Sequence, residues 1–142
     1  MSRFVALAPL SVLATLASLA HAQSAASVLE FQTKLSGTGG VVRCGLFTEQ
    51  GWLKKPVQAA VGSITDGQAV CAFKDVPKGV YGISAFHDEN NNGKLDTNFI
   101  GLPTEDYGAS RDARGSFGPP SFSDAKFRYY PGGTRRITAT LK

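Results

Sequence analysis

Leu29, Phe31, Thr33 and Leu35 alternate with Glu30, Gln32 and Lys34, and the same two-residue period returns along most of the chain. A period of two sends successive side chains to opposite faces of an extended strand, so a chain that repeats it builds sheet with one buried and one wet face. Further segments are Val42, Cys44 and Leu46; Val57, Ala59 and Val61; Ala69, Cys71 and Phe73; Tyr81, Ile83 and Ala85; Phe127 and Tyr129; and Ile137, Ala139 and Leu141. Turn chemistry separates them: residues 36–40, Thr65-Asp66-Gly67, Asp75-Val76-Pro77-Lys78-Gly79 and Pro131-Gly132-Gly133. No segment reads as an amphipathic helix. The pattern predicts an all-β fold, a single antiparallel β-sandwich of about seven strands, with a closed barrel as the second architecture. Leu29, Phe31, Val42, Leu46, Phe73, Tyr81 and Ile83 are the expected core.

Residues 88–124 break the pattern, being dominated by Gly, Pro, Asn and Asp. A loop of this length in a compact domain is functional or disordered. It carries Phe99, Ile100, Leu102, Tyr107, Phe117 and Phe122, too much apolar surface for a solvated tail. An ordered cap packed over one end of the sandwich is therefore predicted, with Pro119-Pro120 stiffening its return.

The start of that loop has the spacing of a calcium site. Asp88, Asn90, Asn92 and Asp96 stand at positions 1, 3, 5 and 9, Gly93 at position 6, and Lys94 at position 7, where only the backbone carbonyl would serve. Position 12, where a bidentate Glu belongs, is Phe99, so a last carboxylate would come from Glu105 or Asp106. Calcium suits such a loop better than magnesium, whose octahedron is strict. With the loop unfilled, Asp88 would add little to stability. The competing reading is a plain polar turn, since Asn-Gly is also a common hairpin dipeptide.

Residues 1–22 read as a secretory leader: Arg3, an apolar run from Phe4 to Leu19, and Ala20-His21-Ala22 as the cleavage site. One domain, residues 23–142, would remain. Loss of Arg3 takes the formal charge from +4 to +3, 14 Lys and Arg against 11 Asp and Glu. That mild, interspersed balance makes no nucleic-acid footprint, and no later segment is long and apolar enough to span a bilayer. Export to the bacterial periplasm or the medium would make a disulfide the simplest fate of Cys44 and Cys71, with two buried thiols the alternative. His87 is the only histidine after the leader. There is no His/Cys cluster for zinc and no phosphate-binding loop.

Gly79-Val80-Tyr81, His87-Asp88-Glu89-Asn90, Asn92-Gly93-Lys94-Leu95-Asp96-Thr97-Asn98-Phe99, Gly101-Leu102-Pro103, Glu105, Tyr107-Gly108, Ser110, Arg114-Gly115, Gly118-Pro119-Pro120-Ser121-Phe122 and Ala125 together resemble the DUF2141 family of exported bacterial proteins. The resemblance implies a compartment and an architecture, not a reaction. The Gly-x-Tyr strand before an Asp/Asn-rich loop is also similar to transthyretin-like and Ig-like sandwich modules, as fold analogy alone. The functional expectation is a non-enzymatic exported module that binds a ligand or an envelope partner, with calcium ordering its loop. The alternatives are a small hydrolase using His87 and the loop carboxylates, and a purely structural envelope protein. A pocket lined by His87, Glu105 and Tyr107 would favour the hydrolase.

Overall fold

The computed structural model describes residues 26–142; the leader expected over residues 1–22 lies outside the described residues. The alternating segments become eight strands, numbered β1 (Val28–Lys34), β2 (Val41–Phe47), β3 (Gln58–Thr65), β4 (Gln68–Lys74), β5 (Gly79–Asp88), β6 (Tyr107–Ala109), β7 (Phe127–Tyr129) and β8 (Thr134–Thr140). A 3-10 turn (Ser110–Asp112) and a short helix (Phe122–Ala125) lie between β6 and β7. All seven expected core residues are buried, and they belong to one cluster with Cys44, Cys71, Val76, Tyr129 and Leu141. Thr65-Asp66-Gly67 makes the β3–β4 hairpin, with Asp66 and Gly67 at φ 51° and 69°, as a tight two-residue turn requires.

The sandwich expectation needs correction. The strands form one mixed sheet, in the order β6-β5-β2-β3-β4-β1-β8, nearly closed into a barrel. β3 turns the corner: it pairs with β2 along Gln58 to Ser63 but with β4 only at Ile64 and Thr65. β8 runs parallel to β1, not antiparallel. Alternation shows which face of a strand is buried; it does not show which strand lies beside it, and sandwich and barrel bury one face alike. The seam between β6 and β8 is unsealed along most of its length. At one end Tyr107 and the backbone of Lys142 exchange hydrogen bonds of 3.2 and 3.1 Å. There Arg114 donates to the carbonyls of Tyr107 and Thr140, and Asp112 accepts from the Thr140 amide.

β5 lends one edge to two partners. β7 pairs with Gly79 to Tyr81, and β6 with Ser84 to Phe86. The amide of Ile83 falls in the gap, where the buried Ser110 hydroxyl accepts its hydrogen bond at 2.9 Å and donates to the Ala125 carbonyl at 2.6 Å. Ser110 thus stands in for a missing strand residue and ties the short helix to the sheet.

Two expectations about faces also change. Val57, Ala59 and Val61 point outward, while Ala60, Gly62 and Ile64 face the interior. Residues 88–124 are ordered by many hydrogen bonds, but instead of capping an end they join the sheet at Tyr107–Ala109, and their 93–103 and 115–120 parts lie over the outer face of β2 and β5. Within them only Phe122 is a buried aromatic; Phe99 and Phe117 are wholly exposed.

Candidate functional site: an apolar groove on the outer face

Cross-strand register puts Ala59, Gly45, Ser84 and Ala109 in one outward row over four strands, and Val61, Arg43, Phe86 and Tyr107 in the next. The first row has almost no side-chain height, so the sheet surface dips. The dip is a groove of about 1140 Å³. One wall is the 93–103 loop through Leu95, Leu102 and Pro103; the second is Gly115 to Pro120 with Phe117; the third is Phe47, Leu53 and Pro56. Aliphatic, aromatic and proline surface dominates, the usual lining of a small-molecule site.

Trp52 anchors two of these walls. Its ring lies over Gly82, where a Cβ would come within 2.6 Å of Cζ3. Its edge-to-face neighbours are Phe47 and Phe122, at centroid distances of 5.5 and 5.6 Å. Its Nε1 donates to the Pro120 carbonyl at 2.8 Å. The Trp is therefore bonded to the end of the 115–120 wall.

The predicted calcium residues line up along the 88–105 segment, and most of their oxygens already have donors. Asp88 Oδ1 accepts from the Asn92 amide at 2.9 Å; Oδ2 accepts from the Gly93 amide at 2.9 Å and from Arg43 Nε at 2.5 Å. Solvent does not reach this carboxylate, which its own loop covers. Burial alone would push its pKa up, but Arg43, the two amides and the Arg43 charge outweigh burial and hold it below the ordinary 3.8. Glu105 is a clasp: Oε1 accepts from the Glu89 amide and Oε2 from the Asp96 amide, both at 3.0 Å. The Asp96 carboxylate meets the side-chain amides of Asn90 and Asn92 at 2.6 and 2.8 Å. Lys94 donates its amide to Asn92 Oδ1. Among the described residues no group of three or more His, Cys, Asp or Glu is gathered as a metal would need. The expectation that Asp88 adds little to the unfilled loop is corrected by its Arg43 pair and its two amide bonds.

His87 points into the barrel. Its Nε2 donates to the Gly39 carbonyl at 2.6 Å, and Gly37 lies against the ring, where a Cβ would come within 2.2 Å of Cε1. Nδ1 has no hydrogen-bond partner and stands 3.7 Å from Glu89 Oε1. Of the three residues that would have favoured a hydrolase, the groove is lined by Tyr107 and by neither His87 nor Glu105.

Cys44 and Cys71 form a disulfide inside the barrel. No helix among the described residues is long and apolar enough to cross a membrane. Sequence reasoning missed Arg43, Phe47, Trp52 and the small-residue row. The available signals were a charged residue in the middle of β2 and a β3 segment with apolar residues on both faces.

A family model described as an uncharacterised protein conserved in bacteria, DUF2141, matches residues 33–138 of the 142. No curated protein and no solved structure matches the chain.

Proposed function

The chain belongs to the DUF2141 family, and from its own geometry we propose that it is an exported, periplasmic or secreted binding module that takes an apolar ligand in the outer groove. The groove itself carries the reading. Proteins that only need a solvated outer face place polar side chains there, as this one does on β1 and β8 with Glu30, Gln32, Lys34 and Arg136. On β2, β3 and β5 the equivalent face is floored by Gly45, Ala59 and Ser84 and walled by two hydrogen-bonded loops. The disulfide and the bacterial family are consistent with a protein outside the cytoplasm. A hydrolase using His87 draws no support from a ring enclosed in the barrel.

The test is titration with an environment-sensitive apolar dye, N-phenyl-1-naphthylamine, read by energy transfer from Trp52, the only tryptophan. Saturable binding is expected. Ala59→Phe, which fills the floor of the groove, should weaken it at least tenfold while leaving the melting temperature in place. Unsaturable binding, or equal affinity in the variant, would remove the proposal.

Calcium in the loop is a separate proposal, and the geometry narrows it. Asp88 and Glu105 are committed to Arg43 and to backbone amides, so a cation would rest on Asp96, the Asn90 and Asn92 oxygens and the Lys94 carbonyl, with both amides turned over. So few protein ligands imply an affinity on the order of 10⁻⁴–10⁻³ M. Melts in millimolar calcium and in chelator should differ, and Asp96→Ala should erase the difference. Identical melting temperatures for the wild type would strike the metal.

A further inference from the structure

Phe99 and Phe117 are fully exposed, and Ile100 and Leu102 are more than half exposed. A soluble surface rarely leaves whole aromatic rings in water, and an exposed apolar run such as Phe99, Ile100 and Leu102, with a second exposed ring at Phe117, is of the kind that marks a docking surface. The exposure is built, not frayed. Asn98 Oδ1 accepts the amides of Ile100 and Leu102 at 3.1 and 3.0 Å, and its amide donates to the Leu102 carbonyl at 2.8 Å. Thr97 bridges to Pro103. These bonds hold a tight turn whose tip presents Phe99 and Ile100 outward. Phe117 protrudes from the other wall of the same groove.

Basic residues flank the groove lining along the chain. Lys54 and Lys55 stand between the lining residues Leu53 and Pro56, Lys94 between Gly93 and Leu95, and Arg114 beside Gly115. Arg114 also stacks on Tyr107, 6.0 Å from the ring centroid. The ion pairs among the described residues are Arg43–Asp88, His87–Glu89 and Arg136–Glu30, so none of these four cations is in one. The carboxylates adjoining the same lining are Asp96 and Asp106, which leaves the rim net positive. The outer face of β1 and β8 has Glu30 bonded to Arg136 and no comparable apolar tips.

We propose that this face docks on a bilayer containing anionic phospholipid, with Phe99, Ile100 and Phe117 entering the interface and Lys54, Lys55, Lys94 and Arg114 meeting the headgroups. Two separate aromatic tips on either side of an open groove suit a fluid interface, into which each inserts independently, and a basic rim is the complement of an anionic headgroup layer. The proposal goes beyond the binding-module reading and stands on the exposed tips and the rim charge; with the groove as a binding site, its mouth would open toward the lipid.

The test is co-sedimentation of the purified protein with vesicles of phosphatidylcholine alone or mixed with phosphatidylglycerol, with the oligomeric state measured by size-exclusion chromatography and the dye titration run on each variant. The expected result is binding to the mixed vesicles, weaker binding to phosphatidylcholine, and loss with added salt. F99S/F117S should bind at least tenfold more weakly with its fold intact, F99S/I100S should weaken vesicle binding while leaving the dye affinity unchanged because neither residue lines the groove, and K54E/K55E should lose the preference for phosphatidylglycerol. Protein left in the supernatant with both vesicles overturns the proposal, as does a double variant that sediments like wild type. A wild-type dimer that F99S/F117S converts to monomer also overturns it, since the face would then join two copies. Dye binding that persists without vesicle binding leaves the groove reading standing; loss of dye binding alone fails that reading and not this one.

Discussion

Reducing the Cys44–Cys71 disulfide should cost the protein about 3.5 kcal/mol of stability, from the chain-entropy relation applied to a 27-residue separation. The closed loop contains all of β3, the strand that turns the sheet from β2 to β4. β3 shares only Ile64 and Thr65 with β4, so over most of its length no ladder joins them. The disulfide crosses beneath that stretch: Cys44 pairs with Ala60, and Cys71 Sγ lies 3.8 Å from the Ala60 carbonyl. Reduction leaves both sulfurs in the core, so little packing is lost and the change comes from the freed unfolded chain. For a domain of this size that is on the order of 14 °C in melting temperature. The assay is urea unfolding with and without a thiol reductant, followed by circular dichroism, with free thiols counted after unfolding. No thiol should label in unreduced protein. A loss below about 1 kcal/mol would refute the loop-closure reasoning, because the unfolded chain would not then be the state that the bridge constrains.

Ser110→Ala should destabilise by about 1–3 kcal/mol, because it orphans the buried amide of Ile83 and frees the Ala125 carbonyl; an unchanged urea midpoint would contradict the role given to that hydroxyl. Asp88 has a lowered pKa in the fold, so its contribution is present above the ordinary 3.8 and is lost as pH falls from there through the depressed folded value. The wild-type urea midpoint should therefore drop more steeply in that window than the midpoint of Asp88→Asn, and parallel pH profiles would show that the Arg43 pair is not felt. Gly37→Ala should destabilise because its Cβ would meet the His87 ring, and His87→Ala in the same chain should recover part of the loss; independent, additive losses in a double-mutant cycle would refute the contact.

Much of the core was legible because period-two alternation reports burial directly. Phe31 and Phe73, on strands paired with each other, were both placed inside from pattern alone. Neighbours were less legible. Nothing in Ile137 and Ala139 reveals that their strand lies parallel to β1, because an inward residue looks the same beside either partner. Val57, Ala59 and Val61 were assigned to the wrong face for a physical reason: the outer surface of β3 is itself apolar, so hydrophobicity marks the groove as well as the core. Phe99 and Phe117 misled likewise, since apolarity is a one-way guide to burial and much of a folded protein's accessible surface is itself apolar. The polar segment after Asp88 does leave the regular strands, but the Arg43 guanidinium that occupies Asp88 comes from a residue 45 positions away, which local spacing does not see. Ser110 was invisible because its task, satisfying one amide at the junction of β6 and β7, exists only once the strands are paired.

The central claim is that the outer face of β2, β3 and β5 is a binding site. Amide chemical-shift mapping of ¹⁵N-labelled protein titrated with N-phenyl-1-naphthylamine tests it most directly. The account predicts saturable shifts concentrated at Gly45, Ala59, Val61, Ser84, Phe86 and Tyr107, extending to Leu102 and Phe117 in the two walls, with Glu30, Gln32, Val70 and Ala72 on the opposite outer face unmoved. Shifts centred on those last four residues, or shifts spread evenly over the barrel, would contradict it.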